Sequence, residues 1–117
     1  MLCVFGNEHV PGDGFALAVA RELNVEYRHI RNPDELLWLE GAVTILDVVS
    51  GLSEPRRITI PELRTRSVLT AHDFDVGFFL TLMEKLDLGD VRIIGIPQAG
   101  DTRGTASEVE RLLEEQT

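Results

Sequence analysis

Three short stretches of the chain are almost continuously apolar: Leu2-Cys3-Val4-Phe5, Ala42 to Val49, and Val91 to Ile96. In a strand, successive side chains point to opposite faces, so such runs must be covered on both sides. That demand is met by a parallel sheet sandwiched between helices. The intervening segments supply helical patterns. Phe15, Val19 and Leu23, flanked by Ala16 and Ala20, recur at a spacing of four and predict a helix over about 14–23. Asn32-Pro33-Asp34-Glu35 is a helix-start signature, opening a short helix that stops near Gly41. Asp73 to Leu86 is apolar nearly all round, as a largely buried helix requires. Thr105-Ala106-Ser107-Glu108 forms a capping box ahead of an apolar stripe at Val109, Leu112 and Leu113. Val25 to Ile30 predicts a second strand, and Arg56 to Ile60 a shorter, more exposed one closed by Pro61. The pattern is α/β, with a mostly parallel sheet and helices on both faces.

With 117 residues the chain is expected to form one domain, residues 1–117. It carries 20 acidic and 11 basic residues, a net charge of −9, which disfavours nucleic acid and anionic membrane surfaces. A single cysteine, Cys3, allows no internal disulfide. The apolar start ends at Gly6, too short for a signal peptide or a membrane span. A cytoplasmic protein without membrane insertion is expected.

In sheets of this kind ligands gather beyond the carboxyl ends of the strands. Three junctions place chemistry there. Asp13 stands at the mouth of the first helix, Asp47 interrupts the apolar run Leu46-Asp47-Val48, and His72 precedes the long buried helix. Two carboxylates and an imidazole from separate junctions can form a partial shell for a divalent metal, with positions open for substrate or water. Each has a plainer reading. Asp13 also suits the N-cap of the first helix, and His72 suits a helix start. Asp47 is the hardest to explain structurally, because burying an acid is costly unless it is paired or functional. Asp73 reads as a capping partner of Thr70, and Asp75 as a solvated charge. His29 and Cys3 fall in strand patterns and read as structural. Arg56, Arg57, Arg64 and Arg66 against Glu62 make a local basic stretch, either a solvated edge or a docking strip. There is no nucleophile elbow, GxGxxG or P-loop.

In their order these motifs resemble the hydrogenase maturation endopeptidases, which trim the C-terminal tail of the nickel-containing large subunit of [NiFe] hydrogenases. The matching residues are Val4-Phe5-Gly6-Asn7 with Gly12-Asp13-Gly14, then Val43 to Gly51 with its Asp47, then Thr70-Ala71-His72-Asp73, and finally Val91 to Pro97. Val4 stands where the family has its first Gly, and Gly12 where it has the first acid of a pair. The short length and the run His72-Asp73-Phe74-Asp75 look most like archaeal members. The resemblance implies a three-layer α/β/α fold on a five-stranded mixed sheet, the strand Arg56 to Ile60 being a candidate for its antiparallel member. It implies that Asp13, Asp47 and His72 contact nickel presented by the large-subunit precursor, and that the chain acts as a monomeric aspartyl endopeptidase on that precursor. Asp13 or Asp47 can serve as general base, or the metal can polarise the scissile carbonyl or activate water.

Two other readings compete. A receiver domain of signalling proteins would use Asp47 as phosphoacceptor, but it wants an acidic pair after strand one and a Lys after the last strand. Gly6-Asn7 and Pro97-Gln98 stand there instead. A non-catalytic binding module for a metalloprotein subunit is the third.

Overall fold

The strongly apolar runs all become strands, and their pairing sets the architecture. The computed structural model describes residues 1–5, 14–30, 35, 42–59 and 91–115. In chain order these hold β1 (Leu2–Phe5), α1 (Phe15–Glu22), β2 (Tyr27–Ile30), β3 (Val43–Val48), β4 (Arg56–Arg57), β5 (Val91–Ile96) and α2 (Thr102–Glu115). The strands form one five-stranded sheet in the order β2-β1-β3-β5-β4. β1 pairs in parallel with β2 and β3, and β3 with β5; β4 alone runs antiparallel, along β5. The expected mixed, mostly parallel sheet is therefore present, with its antiparallel member where the Arg56 to Ile60 segment was read. That member is shorter than the run implied: only Arg56 and Arg57 form the strand, and the Ile58 N–H extends the ladder to the Ile93 carbonyl.

Register and alternation sort the side chains into two faces. Leu2, Val4, Leu46, Val48, Ile94 and Ile96 meet Ala16, Leu17, Val19 and Ala20 of α1 and Ala106, Val109 and Leu112 of α2 in one core cluster. Full burial of each large member contributes roughly 1.5–3 kcal/mol. Both described helices thus lie on one face. The opposite face carries Cys3, Phe5, Ile45 and Ile93, and it is equally buried, as a sheet covered on both sides requires. The helices predicted from Pro33 and from Asp73, which a second layer would use, lie outside the described residues.

Helix starts depart from the sequence reading in two places. The N-cap position of α1 is Gly14, one residue beyond the Asp13 expected there, so the N-cap residue itself has no side chain with which to cap the helix. Its first turn closes through Ala18 N–H to the Gly14 carbonyl. α2 begins at Thr102, three residues before the Thr105 capping box. Asp101 is the cap: its Oδ2 accepts the Gly104 N–H at 3.0 Å, and its carbonyl accepts the Thr105 N–H. The chain enters this cap through Gly100, at φ 151°, which only glycine adopts readily. Thr105 and Glu108 then sit inside the helix, where their capping pattern has no terminus to serve.

Candidate functional site

The carboxyl end of β3 is the chemical centre of what the structure describes. β3 is the middle strand, and the direction of strand addition reverses beside it: the chain moves from β1 outward to β2, then returns across β1 to build β3, β5 and β4. The gap beyond the carboxyl ends of β1 and β3 is therefore a topological switch point, the place where open α/β sheets hold ligands. Asp47 occupies the penultimate position of β3, level with Gly95 of β5 and next to the Leu46–Val4 pair.

Alternation puts Asp47 on the face opposite the α1–α2 core, among Phe5, Ile45 and Ile93. It is fully buried, and it is the only buried charged residue among those described. Asp47 takes part in an interaction, while its Oδ1 accepts no hydrogen bond from the described residues. A carboxylate so enclosed carries a large desolvation cost. Gly95 beside it is a close-packing position. A Cβ there would approach the Val49 and Leu52 side chains to 3.0 Å and Ile58 to 3.2 Å. Past Asp47 the ladder continues with Val49 N–H to the Ile96 carbonyl, and the chain then turns at Gly51, φ 84°.

The site expected from the sequence had three members, and one of them is placed. Asp13 and His72 lie outside the described residues, so their distances to Asp47 are not defined by this structure. Among the described residues no group of three His, Cys, Asp or Glu side chains is arranged to hold a metal ion. Cys3 is fully buried on the same sheet face as Asp47. Burial pushes its thiol up to about 11, against the opposing pull of the chain amino group and Arg28, so at neutral pH it is an inert thiol. His29 lies on edge strand β2, away from the switch point.

The basic stretch acquires a structural role at one position. The Arg57 guanidinium donates to the Leu112 carbonyl at 3.1 Å, satisfying an acceptor in the last turn of α2. Arg56 donates to the Arg57 carbonyl at 3.3 Å. Arg64 and Arg66 lie outside the described residues. The signal for Arg57 was present in the sequence only as a cation on a short edge strand, with nothing to name its helical partner.

The fold as a whole has a solved counterpart. The chain is similar to the solution structure of the endopeptidase HycI from Escherichia coli, with a TM-score of 0.68, over 98% of this chain and 88% of that one. The two sequences are 18% identical, so the likeness is one of fold. Neither a protein-family model nor a curated protein matches the sequence. No helix among the described residues is long and apolar enough to cross a membrane.

Proposed function

We propose that this protein is an endopeptidase that removes the C-terminal extension of a nickel-loaded [NiFe] hydrogenase large-subunit precursor, in the cytoplasm and as a monomer. The observation that carries the reading is the buried Asp47 at the switch point of a sheet that shares its fold with the endopeptidase HycI. The motif order of the sequence supports it independently, including the resemblance of the run at His72 to archaeal members.

In this reading nickel arrives as part of the substrate. Asp13, Asp47 and His72 contact it, an oxygen and imidazole set suited to a borderline metal. The chain's one cysteine is buried within β1, so it offers these contacts no thiolate. Peptide hydrolysis requires a group that takes a proton from the attacking water and returns it to the leaving amine. Asp13 and Asp47 are the two carboxylates assigned to that work. The fixed, water-poor surroundings of Asp47 strengthen its interaction with an incoming cation.

The receiver alternative is disfavoured by topology. A receiver sheet is ordered 2-1-3-4-5 in parallel, whereas here β5 lies inside an antiparallel β4.

Incubation with nickel-loaded and nickel-free precursor, followed by intact-mass spectrometry, tests the proposal. Loss of the C-terminal extension from the loaded precursor alone is the expected result. Tight binding without any mass loss would replace it with the binding-module reading. Full processing by Asp13→Asn, Asp47→Asn and His72→Ala variants would overturn the site assignment.

A further inference from the structure

At the other end of β3 from Asp47, the amino-terminal edge of the sheet carries a cavity of about 580 Å³. Its apolar walls include Met1, Val25 and Leu113, and its carboxylates are Glu26, Glu110 and Glu114. Met1 and Val25, 58% and 43% exposed, are the only exposed large hydrophobic residues among those described. Both line this one cavity. Isolated exposed apolar residues are ordinary, but two converging on a concavity of ligand-binding size mark an interaction site.

The charge of the cavity selects the partner. No Lys or Arg side chain among the described residues lines it. Arg57 is committed to the Leu112 carbonyl and lies outside it, while the Met1 ammonium, which donates to the Ala42 carbonyl, is the one cation of the described lining residues and is outnumbered by three carboxylates. The last turn of α2 and the chain just beyond α1 both border the cavity, so two helix C-termini add partial negative charge. Glu110 is held in place, its Oε1 accepting the Asn24 N–H at 3.1 Å. These acids are not disposed as a metal cage, since no metal-holding trio exists among the described residues. A second copy of the chain would bring its own net charge of −9 to an acidic surface.

We infer that this cavity docks a basic segment of a protein partner, with an apolar side chain against Met1, Val25 and Leu113 and a neighbouring Lys or Arg facing Glu26, Glu110 and Glu114. The inference stands apart from the proteolytic reading, because peptide binding here and precursor cleavage at Asp47 are separate readouts.

The test is an amide-resolved NMR titration of the ¹⁵N-labelled protein with the acetylated, amidated peptide Gly-Lys-Leu-Arg-Gly. Saturable shifts at the Leu2, Asn24, Val25, Thr44 and Leu113 amides are expected, weakening as salt is raised. The Glu26→Gln/Glu114→Gln variant, whose dispersed spectrum confirms its fold, should bind about tenfold more weakly. The acidic peptide Gly-Glu-Leu-Glu-Gly should give no saturable shifts. Absence of shifts with the basic peptide, equal binding of the acidic one, or undiminished binding by the double variant would each overturn the inference.

Discussion

Burial acts in opposite ways on two enclosed side chains of the second sheet face. Asp47 and Cys3 are both fully enclosed, but a thiol is content to stay neutral whereas a carboxylate is costly to enclose. Cys3 therefore acts as a small apolar residue, and its effect on stability has a definite sign. The thiol titrates near 9 in the unfolded chain and near 11 in the folded one. The folded state holds its proton over that interval while the unfolded state releases it. The stabilisation is whole below about pH 9 and falls away as pH rises towards 11, by at most about 3 kcal/mol. Denaturant unfolding at a series of pH values should show this decline, and Cys3→Ala should flatten it. At pH 7 native Cys3 should resist alkylation that readily labels the unfolded chain.

At the scale of elements, the legible parts of the sequence were those with one dominant physical demand. β1 and β5 were read to the residue because an apolar run is cut off by Gly6 in one case and Pro97 in the other. β2 begins two residues later than its pattern, at Tyr27, after the loop that leaves α1. The start of α2 differs from the pattern because a second capping residue, Asp101, stands four positions ahead of Thr105, and the sequence does not say which one has a free helix end to satisfy. Asp101 does. Replacing it with Ala should cost about 1 kcal/mol, seen as a lower thermal midpoint, whereas Thr105→Ala should cost little through capping. Gly95 makes a different demand. The contacts that a Cβ would meet at 3.0 Å predict that Gly95→Val destabilises the chain by about 1–3 kcal/mol through overpacking, measurable by the same melts. Gly95→Ala should cost less.

The whole molecule divides its chemistry between the two ends of one sheet. The carboxyl end, at the switch point, was anticipated because a lone acid in an apolar strand is visible without a structure. The amino end was not. Its cavity is assembled from Met1 and Leu2, the loop at Asn24 to Glu26, Thr44, and the last turns of α2, pieces that share no motif and meet only through the strand order. The net charge of −9 served at first only to exclude partners. The three glutamates at this cavity give part of that charge a place and a purpose. Asp13 and His72, by contrast, are placed by the sequence resemblance alone, so the central claim rests most directly on Asp47.

That claim is tested by following single-turnover processing of nickel-loaded large-subunit precursor, by intact mass, for the wild-type chain and Asp47→Asn, with thermal melts of both. A functional carboxylate predicts removal of the C-terminal extension by the wild-type chain and a fall of about 100-fold or more in the variant, with melting temperatures within a few degrees. Processing by Asp47→Asn at the wild-type rate would contradict the account.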